Sequence, residues 1–407
     1  MNVLYLTYDG LLDPLGESQI FPYVKGIART ESYVVVLSFE KAERSIAGHK
    51  QKTKELSDSG IVWKPLRFTK GFGPLGKLWD LLKMYYWALL LAFKHHINVV
   101  HARGHTSAQA GLFVKNIYRS KLLFDFRGLW VDERVDKGGW NLSLPLDRIQ
   151  YRHFKNIEKK LLQGADQIVV LTHAVVNEVI RIGSISPAMI TVIPCCADFD
   201  HFLQPTLKQR ETVRIDLGIP VDAFVLGYLG SVGPMYMTER FLNLYKIASS
   251  RRDDVFALII TQDIQQLKLL MNVCLSEQQQ KKIFVKAAQR EEVPRFISAF
   301  TILVNFVLPS YARISMSPTK MAECFAAGIP VMANPGIGDV AEQITFLQAG
   351  ILVNPDVETD LLSAVERFGE VSAMGGNSLR ENARPLLGLE VADARYHAVY
   401  RKIGKLI

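Results

Sequence analysis

Short apolar runs recur along this chain, spaced so that a helix fits between each pair. Val3–Leu6, Val34–Phe39, Ile61–Leu66, Asn98–His101, Lys121–Phe126, Gln167–Leu171 and Ile190–Ile193 form one series. Val225–Leu229, Phe256–Thr261, Ile283–Lys286, Ile302–Leu308 and Val331–Ala333 form a second. Apolar runs of this kind suit strands covered on both faces, as in a parallel sheet. Helical patterns lie between them: Ser18–Arg29, Lys41–Ser59, Leu75–Phe93, Leu146–Leu162, Val175–Arg181, Leu207–Leu217, Leu361–Phe368 and the amphipathic Leu389–Ile403. The alternation predicts an α/β chain. Its 407 residues suffice for two doubly wound, parallel-sheet, Rossmann-like domains facing across a cleft.

Composition narrows the partners. Hydrophobic residues make up 49 % of the chain and charged residues 22 %, as expected of a soluble globular protein. A net charge of +8 favours an anionic partner, whether a nucleotide, nucleic acid or an acidic membrane surface. The cysteines, Cys195, Cys196, Cys274 and Cys324, contain no Cys-x-x-Cys pair. Neither a disulfide framework nor a metal site is expected of them. Val3–Leu6 is too short for the core of a signal peptide, lacks a basic lead and ends at Asp9. A cytoplasmic location is therefore expected.

Chemistry concentrates at residues 315–339. Ser317-Pro318-Thr319-Lys320 reads as a helix start, with Ser317 as the cap and Pro318 at a position that needs no N–H. Gly328 and Pro330 stop the helix, and Asn334–Asp339 turns the chain back over its start. A helix start of this kind suits a phosphate, and Lys320 adds a full positive charge. Glu323, three residues on, shares its face and can accept from sugar or ribose hydroxyls. A nucleotide-sugar site is one reading of the stretch. An ordinary capped helix on a sheet, with Lys320 and Glu323 as a solvated pair, is the other.

Glu323 followed by Ala327-Gly328-Ile329-Pro330-Val331 resembles the donor-binding segment of retaining glycosyltransferases of family 4, which have the two-domain GT-B fold. Asp125-Phe126-Arg127-Gly128-Leu129-Trp130-Val131-Asp132-Glu133-Arg134 resembles a segment of one branch of that family. Pro194–Phe202 resembles its interdomain link. The resemblance implies an acceptor-side domain at 1–200, closed by helix 388–407, and a nucleotide-sugar-binding domain at 201–387. It implies a donor set of Gly16, Arg290, Ser317, Thr319, Lys320, Glu323, Gly338 and Asp339, with residues 287–293 against the base. Gly16 lies in a strand-to-helix loop, where glycine lets a backbone approach a ligand closely.

Two departures from the family accompany the likeness. Its first glutamate would fall at Ser315, and the Arg and Lys of its diphosphate loop are missing from Gly230–Tyr236. The expected positive charge then shifts to Lys320, Arg313 or Arg103. Arg103 stands where the family often has a histidine, with His101 and His105 on either side. Arg103, His101 and Glu323 are the expected catalytic residues, with His101 as a structural strand-end histidine the alternative. Residues 127–142 read as an acceptor loop in which Arg127, Trp130, Asp132 and Glu133 offer an aromatic face and polar contacts. An internally paired network of acids and arginines is the competing reading.

Leu78, Leu82, Tyr85, Leu89 and Phe93 line one helical face, widened by Trp79, Tyr86 and Leu90 and flanked by lysines. The unbroken apolar run Met84–Phe93 is ten residues, against the roughly 20 needed to span a bilayer. The segment suits a helix buried on the sheet, or one resting on the inner face of an anionic membrane. The resemblance implies transfer of a hexose-type sugar, with retention, from a nucleotide-diphosphate sugar to a glycan or lipid-linked acceptor in cell-surface polysaccharide synthesis. It implies no cofactor, no metal and no nucleic-acid partner. Sugar-nucleotide epimerisation and binding without transfer are the alternatives.

Overall fold

The computed structural model describes residues 1–29, 33–42 and 46–407. It divides into two compact units: residues 1–194, 311–316 and 389–407 in the first, 195–310 and 317–388 in the second.

The first unit holds β1 (Asn2–Thr7), β2 (Tyr33–Glu40), β3 (Ile61–Arg67), β4 (Val99–Arg103), β5 (Lys121–Asp125), β6 (Gln167–Val170) and β7 (Ile190–Val192). They form one sheet in the order β3-β2-β1-β4-β5-β6-β7, parallel throughout. Leu4, Leu6, Val35, Leu37, Val100 and Phe124 face helical side chains such as Met84, Ala88, Ala108 and Leu162 in its core. The order doubles back between β1 and β4, and loops at the carboxyl ends of strands diverge at such a point.

Several elements differ from expectation. The helix expected over Ser18–Arg29 is two, Pro14–Gln19 and Phe21–Ala28. Pro22 has no N–H to continue the ladder, and the chain breaks at Ile20. The expected Lys41–Ser59 helix runs over Ile46–Asp58, with 43–45 outside the described residues. β4 extends to Arg103, and an unanticipated helix, Gly104–Tyr118, begins at once. Residues 127–142 are not all loop, since Trp130–Asp136 is helical.

The second unit repeats the plan with β8 (Phe224–Leu229), β9 (Val255–Ile260), β10 (Ile283–Lys286), β11 (Ile302–Asn305), β12 (Val331–Ala333) and β13 (Gly350–Leu352). Their order is β10-β9-β8-β11-β12-β13, again parallel, with the reversal between β8 and β11. β13, three residues long and opened by a glycine, had no counterpart in the sequence reading. Gly350 lets it lie against β12, where an added Cβ would stand 1.7 Å from the Val331 carbonyl oxygen.

Candidate functional site

In the second unit the reversal point gathers a cation, a carboxylate and free helix amides. The helix Thr319–Ala326 starts here, and its N-cap is Pro318, without a side-chain cap. Ser317 does not cap it. Its Oγ accepts from the Cys195 N–H at 3.1 Å instead. The helix start therefore has no side-chain cap; the Met321 N–H donates to the Pro318 carbonyl at 3.1 Å, and the Thr319 and Lys320 amides remain at the positive end of the helix dipole.

Lys320 extends from that turn between two rings. Its Nζ stands 5.5 Å from the Tyr228 centroid and 5.1 Å from that of Tyr236. Among the described residues no hydrogen bond or ion pair engages it. Burial lowers its pKa to about 8, with Cys324 and Glu323 opposing. Gly230 follows β8 with φ +125°, and a Cβ there would come to 3.8 Å of Nζ. The Gly230–Tyr236 turn is held by hydrogen bonds from Val232 N–H to Asp263 (2.9 Å) and from Gly233 N–H to Thr238 (3.0 Å).

Glu323 is buried one turn further on and accepts a hydrogen bond from Arg290. The Arg290 guanidinium lies 4.8 Å over the Phe202 ring. Burial raises the Glu323 pKa, and Arg290 opposes that shift. The two form a pair with each other, where the sequence alone offered a solvated Lys320–Glu323 pair. Gly338, at φ +40°, and Asp339 lead into the helix Val340–Leu347. Asn334 fixes that turn: its Oδ1 accepts from Val307 N–H and its Nδ2 donates to Val307 C=O, both at 2.8 Å.

The contacts of Tyr228 and Arg380 had no signal in the sequence, whereas Tyr236 and Asn334 lie in stretches the sequence marked. Arg380 donates to the carbonyls of Phe199 (2.6 Å) and Phe202 (2.7 Å) and to that of Ala326 at the end of the Lys320 helix. It ties the loop bearing Phe202 to that helix, and a cation at a helix C-terminus suits the dipole.

In the first unit the carboxyl ends of β1, β4 and β5 set Thr7, Arg103 and Asp125 side by side. Arg103 is buried, its Nε 3.9 Å from an Asp9 oxygen and without a hydrogen-bond partner. His101 points into the core. Its Nδ1 meets the Tyr400 hydroxyl at 2.8 Å, and its ring packs on Tyr5 and Tyr396. Burial lowers its pKa and keeps it neutral, Asp125 opposing. With 1 % exposure, His101 is held among aromatic side chains of the core. His105 is likewise engaged, with Glu158 at 3.0 Å.

In the 127–142 segment the acids are paired. Asp132 accepts from Tyr151 (2.7 Å) and Lys155 (2.9 Å). Glu133 accepts from Arg313 at 2.9 Å. Burial alone would raise its carboxyl, but Lys137 and Arg313 hold it below the usual range. Trp130 is surrounded by His105, Trp140 and Phe154. Arg127 adopts φ +57° beside Asp125, at 3.7 Å.

The carboxylates of Asp132 and Glu133 are therefore engaged within the first unit, Glu133 by Arg313. Ser315 donates to Ala312 C=O (2.6 Å) and accepts from Leu129 N–H (3.1 Å). Gly16 does permit a close approach, but of the chain to itself, since a Cβ there would lie 2.0 Å from the Gly10 carbonyl oxygen. The neighbouring amides of Leu11 and Leu12 donate to the buried Glu40 carboxylate.

Among the described residues no group of three His, Cys, Asp or Glu gathers to hold a metal ion, and none of the four cysteines forms a disulfide. The sequence profile of the glycosyl transferase 4-like domain matches residues 23–196, and that of the glycosyl transferases group 1 matches residues 209–384. No curated protein matches the chain in sequence. Among solved structures it is similar to Anabaena HepE in complex with UDP and glucose, at 15 % identity and a TM-score of 0.71, over 98 % of this chain and 99 % of that one. Sucrose-phosphate synthase from Thermosynechococcus elongatus aligns at 15 % identity and a TM-score of 0.72, covering 100 % of both chains. WaaG, a glycosyltransferase involved in lipopolysaccharide biosynthesis, aligns at 14 % identity and 0.67, over 96 % of this chain and 99 % of that one.

Proposed function

Because the chain belongs to the group 1 glycosyltransferase-like family and has its two parallel-sheet GT-B domains, we propose that it moves a sugar from a nucleotide-diphosphate donor to a glycan or lipid-linked acceptor. In this reading the anomeric configuration is retained and the product belongs to cell-surface polysaccharide or glycoconjugate synthesis. The observation that carries it is the unpartnered Lys320 at the uncapped start of Thr319–Ala326. A cation and free amides together suit a diphosphate. They supply positive charge where the leaving group gains negative charge, so no resident metal is needed in this reading. Glu323, steered by Arg290, accepts hydroxyls of the donor. Arg103, a buried cation whose Nε lacks a hydrogen-bond partner, serves an anionic group of the substrates.

HepE, similar in fold, holds UDP and glucose, so UDP-sugars are the first donors to test. Calorimetry with UDP, GDP, ADP and CMP, followed by transfer assays with the binder's sugars, decides the matter. Binding that survives unchanged in Lys320→Ala would remove the site from where we place it. Transfer that persists in EDTA is expected.

One observation favours a second reading, binding without transfer. Ser315 stands where the family's first glutamate would fall, and its hydroxyl is committed to Leu129 and Ala312. Donor hydrolysis or transfer of any kind excludes that reading.

A further inference from the structure

We propose that the outer face of the helix Gly73–Lys94, with the exposed side of Gly104–Tyr118 beside it, docks the first unit on an anionic lipid surface. This goes beyond the transfer reading and stands without it. At about 100° per residue, Leu75, Leu78, Trp79, Leu82, Tyr86, Leu90 and Phe93 fall on one stripe. They are left in solvent: Leu75 is 73 % exposed, Trp79 58 %, Tyr86 62 % and Phe93 66 %. The opposite face, with Met84, Ala88, Leu91 and Ala92, packs into the core. Phe113 of the neighbouring helix meets Tyr85 at 5.0 Å and, with Ile117 and Tyr118, extends the exposed apolar surface. Soluble monomers rarely leave so continuous an apolar surface uncovered.

Charge selects what covers it. Residues 59–124 contain ten lysines and arginines and a single acid, Asp80, so this segment outweighs the whole net charge of +8. Asp80 is fully buried and accepts from Tyr8, Thr69 and Lys83, so it offers the surface no negative charge. Lys70, Lys77, Lys94 and Arg119 stay exposed. A second copy of this chain would set two basic segments against each other. An anionic bilayer answers both features, since aromatic side chains enter the headgroup region and lysines attract acidic lipid. Among the described residues no helix is long and apolar enough to cross a membrane, so the contact is with the interface.

The test is co-sedimentation of the full chain, without sugar nucleotide, with vesicles of phosphatidylcholine alone or mixed with phosphatidylglycerol. We expect binding to the mixed vesicles at least about tenfold above the neutral ones, lost in high salt. The double variant Trp79→Ser, Tyr86→Ser should release the protein from mixed vesicles without altering its circular dichroism, because both side chains lie outside the core. Lys77→Gln with Lys94→Gln should weaken binding and flatten its salt dependence. Equal partitioning to both vesicle types overturns the proposal. So does a dimer in light scattering that the Trp79→Ser, Tyr86→Ser variant dissociates while vesicles stay unbound.

Discussion

Lys320 combines what a phosphate site requires with what a folded chain normally avoids. Its ammonium lies between two tyrosine rings, and burial has brought its pKa to about 8. In the free protein the cation is therefore lost as pH rises through 8. A bound diphosphate favours the charged form, so binding near pH 8 should take up a proton, visible as a binding heat that varies with the buffer's ionisation enthalpy. Lys320→Ala should weaken nucleotide-diphosphate binding by about 1.5–3 kcal/mol and erase that buffer dependence. Lys320→Met should also melt higher than the parent at neutral pH when no ligand is present, since a depressed lysine pKa means the fold pays to keep the charge. Glu323 carries the opposite perturbation, with burial raising its pKa and Arg290 opposing. Arg290→Met should move the acid limb of the pH–rate profile to higher pH, and Glu323→Gln should lower turnover with the fold intact. A profile that does not move in Arg290→Met would separate Glu323 from the chemistry.

At the scale of elements, two short connections carry the construction. Residues 311–316 belong to the first unit although the strands before and after them belong to the second. Within that unit Arg313 pairs with Glu133, Ser315 engages Leu129, and the Ile314 carbonyl accepts from Thr172 at 2.6 Å. Ser315→Ala leaves the buried Leu129 amide without its partner and should cost about 1–2 kcal/mol in denaturant unfolding. Ser315→Glu would restore the family's residue type but crowd Gly128, where even an added Cβ would stand 3.1 Å from the Ser315 Oγ. Arg380 is the second connection, bridging the 199–202 loop and the end of the Lys320 helix. Arg380→Ala should lower stability by about 2–4 kcal/mol, because three carbonyls lose a charged donor. It should also weaken donor binding through Phe202 and Arg290, whereas Arg380→Lys should restore part of both.

Over the whole chain, the closing helix Leu389–Gly404 returns to the first unit and packs on Phe21–Ala28. Gly26 makes the contact possible, since a Cβ there would lie 1.9 Å from an Asp393 oxygen. Burial raises Asp393 from 3.8 to about 6, with Arg29 and His397 opposing and Glu390 adding to the shift. A carboxyl whose folded pKa lies above its unfolded value loses stability as pH rises between the two, here from about 4 to 6. Asp393→Asn should therefore melt above the parent at pH 7 and level with it near pH 4. Melting curves at the two pH values check this, and an equal offset at both would assign the effect to packing.

The sequence alone determined the α/β class, the two domains and most strands, because a buried parallel strand must be a short apolar run wherever it falls. It also marked the 315–339 stretch, whose helix start, Lys320 and Glu323 lie within nine residues of one another. Local pattern misled where a partner came from far along the chain. Ser317 has the chemistry of a cap, but its hydroxyl serves Cys195, 122 residues away. His101 has the chemistry of a site residue, yet Tyr400 and Tyr396 of the closing helix bury it. The acids at 132 and 133 were visible as charge, while Tyr151, Lys155 and Arg313, which occupy them, were not. A side chain's type states what it can bind. Only the packing of distant segments decides whether its hydrogen bonds are already satisfied, and that separates the unpartnered Lys320 from the engaged Asp132, Glu133 and Ser315.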